Sequence, residues 1–123
     1  FEANELIKNG IKVVAISSND VSTHPEDSFE NMQQLSKNKS LPFPYLYDET
    51  QEVAKAYNAA CTPDFFGFNS GLSLQYRGRL SNRKENSKEL RRELFWAMMK
   101  IAESGKGPTD QIPSIGCSIK WKI

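Results

Sequence analysis

Ala59-Ala60-Cys61-Thr62-Pro63-Asp64-Phe65-Phe66 is the stretch on which the fold of this chain turns. A helix-like run ends in the two alanines, a Cys-Thr-Pro step follows, and an aromatic strand begins at once. Proline inside a sheet forfeits a ladder hydrogen bond, so Pro63 belongs at the very start of its strand. So tight an entry is where a cis X-Pro bond is expected, since proline lowers the trans preference to about 0.5–1 kcal/mol. A cysteine two residues ahead of such a proline points to thiol chemistry. The chain has two cysteines, Cys61 and Cys117, and no Cys-x-x-Cys.

Upstream of this stretch the pattern alternates between strand and helix. Ile11 to Ser17 is a β-branched, nearly continuous apolar run, as expected of a parallel strand buried on both faces. Ser28 is placed to cap a helix from Phe29 to about Lys39, with Phe29, Met32 and Leu35 facing inward. Leu41-Pro42-Phe43-Pro44 stops that helix, and Tyr45-Leu46-Tyr47 makes a short strand. Asp48 caps the next helix, with Gln51 three residues on and Val53, Ala56 and Tyr57 as its apolar face.

Downstream, Pro63 to Phe68 reads as a strand, and Asn69-Ser70-Gly71 as a hairpin loop whose glycine takes positive φ. Leu72, Leu74 and Tyr76 alternate with polar residues, so the returning strand buries one face and pairs antiparallel. Asn86 with Glu89, or Ser87, caps the final helix. Its packed face is Leu90, Leu94, Ala97, Met98 and Ile101, widened by Phe95, Trp96 and Met99. The segment after Ser104-Gly105 is rich in Pro and Gly but ends in Ile115-Gly116-Cys117-Ser118-Ile119-Lys120-Trp121. That ending is too apolar to hang free and is expected to lie back on the body.

At 123 residues this is one domain's worth of chain with ordinary apolar and charged fractions. No apolar run approaches the roughly 18 residues of a membrane span. No basic-then-apolar leader precedes the first residues, and there is no initiating Met. Phe1 to Gly10 reads as the tail of a helix closed by glycine, so a piece of a longer protein is the expectation. The net charge of +1 is uneven: residues 1–76 carry 5 Lys/Arg against 10 Asp/Glu, and residues 77–123 carry 11 against 5. Arg77, Arg79, Arg83, Lys84, Lys88, Arg91 and Arg92 read as a solvated rim. They lack the interleaved aromatics of a nucleic-acid surface, so no nucleic-acid partner is expected.

The order of elements is that of an α/β protein with a mixed sheet flanked by helices. With it, Val14-Ala15-Ile16-Ser17-Ser18-Asn19-Asp20, Pro25-Glu26-Asp27-Ser28, Pro42-Phe43-Pro44-Tyr45-Leu46-Tyr47-Asp48, Ala60 to Phe66, Tyr76-Arg77-Gly78 and Gly116 to Trp121 resemble the AhpC/TSA, peroxiredoxin-like proteins of the thioredoxin-like superfamily. The resemblance runs along essentially the whole chain. It implies a thioredoxin-like domain over 1–103, lacking the first strand and the active-site helix, and an extended tail over 104–123. It also implies that Pro63 is the cis proline facing the redox centre, and that a Cys-x-x-Cys or peroxidatic cysteine lies ahead of Phe1. The absent strand would fall inside the sheet, leaving strand edges that another segment fills, or that drive a homo-oligomer or strand-swapped dimer.

Two readings of function follow. In the first, the chain is a fragment of a thiol–disulfide oxidoreductase or peroxiredoxin-like antioxidant protein, inactive without its upstream cysteines. The Cys61–Thr62–Pro63 loop then binds a thiol, disulfide or peroxide substrate, with Cys61 as an auxiliary thiol and Cys117 as a second. In the alternative it is a redox-dead binding domain using the aromatic, Met-rich helix or the basic rim. Three states of the cysteines stay open: reduced thiols of a cytoplasmic protein, a redox-active Cys61, or a Cys61–Cys117 disulfide. The disulfide would close a loop of about 57 residues, worth on the order of 4 kcal/mol. His24 reads as a solvated turn residue, and one histidine with two distant cysteines makes no metal site. Asp48-Glu49 and Glu26-Asp27 suit helix starts. No cofactor motif is present, and no membrane or nucleic-acid partner is implied.

Overall fold

The structure, a computed structural model, describes residues 2–20, 22, 28–82 and 90–121, and of Lys39 and Cys117 the backbone alone. Two compact units divide it: Phe1–Ala60 with Ser118–Ile123, and Cys61–Cys117. The secondary structure is mixed α/β, with three two-stranded sheets among the described residues.

In the first unit, helix α1 (Glu2–Lys8) ends before Gly10, whose φ of 84° reverses the chain at no steric cost. Strand β1 (Ala15–Ser17) is shorter than the apolar run that contains it. It pairs in parallel with β2 (Tyr45–Tyr47), Ala15 opposite Tyr45 and Ser17 opposite Tyr47. Between them lies α2 (Phe29–Lys39), capped by Ser28, whose hydroxyl accepts from Asn31 N at 3.2 Å. Met32 is its buried residue, while Phe29 and Leu35 are exposed, and the Phe29 ring lies tilted at 42° to the Tyr47 ring with centres 6.2 Å apart. The expectation that β1 is buried on both faces is corrected: Val14 and Ile16, which alternation puts on one face, are exposed, because nothing among the described residues covers that face.

Helix α3 (Glu52–Ala56) also departs from the pattern read in the sequence. Asp48 does accept from its first amides, Val53 N at 3.3 Å and Ala54 N at 3.0 Å, and also from Ser18 Oγ at 2.8 Å. Gln51, however, does not complete a capping box. It stands at the N-cap with φ 65° and turns its amide inward, donating to Ser18 O at 2.6 Å and Lys120 O at 2.8 Å. That shift rotates the helix, so Ala54 is the buried residue and Val53, Ala56 and Tyr57 are exposed. Residues 118–121 are stitched to the same unit. Asp20 N donates to Lys120 O at 2.7 Å, Lys120 N to Asn19 Oδ1 at 2.9 Å and Ile119 N to Ala60 O at 3.1 Å. Ile119 is buried, and the Lys55 ammonium lies 5.8 Å from the Trp121 ring centre.

The second unit begins with β3 (Cys61–Thr62), paired with β6 (Cys117–Ser118). Strand β4 (Phe65–Phe68) then pairs antiparallel with β5 (Leu74–Gly78), as the hairpin pattern predicts. Two details differ. The positive φ falls on Leu72 at 64°, not on Gly71, because Asn69 Oδ1 accepts from both Gly71 N and Ser73 N at 3.0 Å and sets the turn from its first residue. The strand is also bulged: Gly67 faces Tyr76 but Phe68 faces Leu74. An extra residue breaks the alternation, so Tyr76 is buried while Leu72 and Leu74 are exposed.

Helix α4 (Glu93–Ser104) lays Leu94, Phe95, Ala97, Met98 and Ile101 against this hairpin. Gly67 makes the approach feasible, since a Cβ there would collide with Met98 Sδ. The capping residues read in the sequence, Asn86, Ser87 and Glu89, lie outside the described residues. Leu90 is exposed and non-helical, so it is not part of the packed face. Residues 107–114 run beside β5 and Arg79 and occupy their backbone groups: Arg79 N donates to Ile112 O at 3.0 Å, Gln111 Nε2 to Gln75 O at 2.8 Å and Ser114 Oγ to Gly78 O at 2.6 Å. Tyr76, nearly inaccessible, donates to Arg79 O at 2.6 Å, and burial pushes its pKa up to about 12.

Candidate functional site

The Thr62–Pro63 peptide is cis, and Pro63 stands at the turn between β3 and β4. Placing it outside both strands spares the ladder the donor that proline lacks. Cys61, Thr62 and Pro63 thus form one short corner, with Thr62 and Pro63 exposed and Cys61 half-buried. The Cys61 thiol is free and turned toward two carbonyls, Ser114 O at 3.5 Å and Pro63 O at 3.9 Å. Gly116 lies so close to the Thr62 carbonyl that no side chain fits between them.

The electrostatics at this corner come from residues that sequence reading did not join to it. Phe66 and Arg77 face each other across the hairpin, and Asp64 is two residues before Phe66, so all three share one side of the sheet. The Arg77 guanidinium lies 5.0 Å from the Phe66 ring centre and 3.4 Å from the Asp64 carboxylate, which is nearly inaccessible. Burial pushes the Cys61 thiol up, the Asp64 charge pushes it further, and Arg77 opposes them without prevailing. At neutral pH the group is therefore a thiol, not a thiolate, and the thiolate is the nucleophilic form.

Of the other sequence candidates, Cys117 lies in β6, and its side chain is outside the described set, as are His24, Glu26 and Asp27. Asp48 serves α3, as already described. In the basic rim, Arg79 pairs with Glu93 and Arg92 stacks 3.9 Å from the Phe95 ring centre, while Arg83, Lys84 and Lys88 lie outside the described residues. Among the described residues no three His, Cys, Asp or Glu side chains gather in a way that could hold a metal ion. No described helix is long and apolar enough to cross a membrane.

The AhpC/TSA family model matches residues 2–80, which spans β1 to β5 and the Cys61–Pro63 corner. The chain belongs to the AhpC/TSA family. Two solved structures are similar to this AhpC/TSA chain along nearly all of it. One is an uncharacterized conserved protein from Geobacillus kaustophilus, at 50% identity and a TM-score of 0.86, covering 98% of this chain and 65% of that one. The other is a hypothetical protein from Sinorhizobium meliloti 1021, at 42% identity and a TM-score of 0.85, covering 98% of this chain and 67% of that one. The fold is accordingly thioredoxin-like, and the AhpC/TSA chain spans about two thirds of the length of either neighbour. None of the curated proteins matches it.

Proposed function

We propose that this chain is the substrate-binding part of a thiol-dependent oxidoreductase of the peroxiredoxin-like kind, acting on a thiol, disulfide or peroxide in the cytoplasm, and that alone it is inactive. Membership of the AhpC/TSA family carries the reading, because the match includes the corner where Cys61, Thr62 and Pro63 meet. The state of Cys61 supports the second half. Thiol–disulfide exchange needs a thiolate that attacks one sulfur while the other leaves as thiolate, and a second thiol that resolves the mixed disulfide. Cys61 is held in its protonated form, which suits an auxiliary thiol beside a bound substrate better than an attacking one. The attacking cysteine would come from a segment other than these residues.

Dithiothreitol-driven reduction of a protein disulfide and of hydrogen peroxide tests this. The chain alone should turn over neither above background, and the longer Geobacillus kaustophilus protein should turn over at least one. Activity of the chain alone that disappears in Cys61→Ser would overturn the reading. Intact mass from the native source is the companion measurement: a mass above 13.9 kDa with more than two alkylatable cysteines supports the fragment.

A second reading rests on Trp96, 62% exposed on a helix whose neighbouring Phe95 is buried. In a redox-dead binding domain that indole would anchor a protein partner, Trp96→Ala would abolish association, and Cys61→Ser would leave it unchanged.

A further inference from the structure

We infer that residues 107–116 form a clasped lid over the Cys61 thiol: the Gln111 carboxamide, standing in for a neighbouring strand on the edge of β5, holds the segment down, and its release uncovers the sulfur. Every part of this device lies within the second unit.

The clasp follows from the direction of the peptide groups. Residues two apart on a strand address the same edge, so Gln75 and Arg77, with Arg79 just beyond the strand, face one way. Gln111 Nε2 donates to Gln75 O at 2.8 Å, and Arg77 N donates to Gln111 Oε1 at 2.9 Å. A carboxamide carries the donor and the acceptor of a peptide, so this one side chain does what a residue of an added strand would do. The same Nε2 donates to Pro108 O at 2.9 Å, which folds the segment onto itself. Arg79 N then takes the next acceptor along, Ile112 O at 3.0 Å.

Hydrogen bonds are what hold this segment. None of residues 107–116 is buried, and Ile112 and Ile115 are 39% and 78% exposed. On the same hairpin α4 is anchored differently, by five buried apolar side chains. A segment with few buried apolar contacts opens locally far more readily than the unit unfolds.

Ser114 connects the clasp to the thiol. Its hydroxyl donates to Gly78 O at 2.6 Å, and its carbonyl accepts from Cys61 Sγ at 3.5 Å. Two residues on, Gly116 lies against the Thr62 carbonyl. Lifting the segment therefore removes an acceptor and a cover from the sulfur together. A thiol that loses a carbonyl acceptor and gains water ionises more readily, and the thiolate is the form that reacts. Asp64 and Arg77, the charged groups whose fields reach the sulfur, belong to the corner and the hairpin, not to the lid. That uncovering Cys61 governs turnover rests on the function proposed above; the lid itself does not.

The test compares the full chain with Gln111→Ala and Gln111→Glu, the second keeping the acceptor but losing the donor to Gln75 O. Amide hydrogen exchange at Arg77 and Arg79 should quicken at least tenfold in both variants, with exchange across β4 unchanged. Iodoacetamide labelling, read at the peptide that holds Cys61, should quicken at least threefold. Ile115→Ser, a change at an exposed position of the same segment, should alter neither rate. Faster exchange with unaltered labelling would refute the lid, and faster labelling with unaltered exchange would refute the clasp. Acceleration spread through β4 and α4 would mean loss of the fold in place of release, and would overturn the inference as well. The expected rates in a chain that by itself reduces disulfide or peroxide would leave the lid standing and sink the functional reading instead.

Discussion

Replacing Asp48 should disconnect most of the first unit's polar interior. Its carboxylate accepts from Ala54 N at 3.0 Å, Val53 N at 3.3 Å and Ser18 Oγ at 2.8 Å. Hydrogen bonds to a charged group contribute about 1.5–3 kcal/mol each. Counting the two short ones in full, Asp48→Ala should cost about 3–6 kcal/mol, while Asp48→Asn, which keeps one acceptor oxygen, should cost about 1–3 kcal/mol. The acid limb separates charge from shape. Burial works against ionisation of Asp48, but hydrogen bonds from Ala54, Ser18, Val53 and Gln51 outweigh it and hold the carboxyl below its ordinary range. A depressed carboxylate contributes stability above its unfolded pKa, and that contribution drains away as pH falls through the folded value. Wild type should therefore lose stability below about pH 4, and Asp48→Asn should lose that part of the slope. Urea unfolding in a Trp96→Phe background, where Trp121 is the remaining indole, reports on this unit. An Asp48→Ala variant within 1 kcal/mol of wild type, or an unaltered acid slope in Asp48→Asn, would refute the reasoning.

Two further predictions concern the Cys61 corner. Gly116→Ala would place a Cβ against the Thr62 carbonyl, a backbone atom that cannot swing aside, so it should cost about 1–3 kcal/mol and raise the alkylation rate of Cys61 several-fold; unchanged melting and alkylation would contradict the packing. Removing the charge that pushes the thiol up, in Asp64→Asn, should lower the midpoint of the alkylation pH profile, and Arg77→Ala should raise it; coincident profiles would show that neither charge acts on the sulfur.

Where a signal was local, the sequence carried it. Ser28 capping α2, Gly10 closing α1 and the cis proline at the end of the Cys-Thr-Pro step were each legible from a few adjacent residues. Misreadings arose where a distant partner intervened. Gln51 looked like half of a capping box, but Ser18 and Lys120, far away in the chain, offer its amide two buried carbonyls. Leu72 and Leu74 kept perfect alternation with Tyr76, and no residue type announced the bulge that breaks it. At the candidate site, Cys61, Thr62 and Pro63 were found through adjacency. Asp64 and Arg77 were not, because the register of the hairpin joins them, and charge alone places Arg77 in a solvated rim.

The first unit is not contiguous: residues 61–117 intervene before 118–121 supply its closing bonds to Asn19, Asp20, Gln51 and Ala60. During synthesis those four sites emerge from the ribosome long before their partners do. The second unit, whose contacts fall within one stretch of chain, can mature while the first waits for Ile119 and Lys120. Stalled or clipped chains ending shortly before residue 118 would thus carry a finished hairpin and helix beside an unlatched half, the form a quality-control protease meets first.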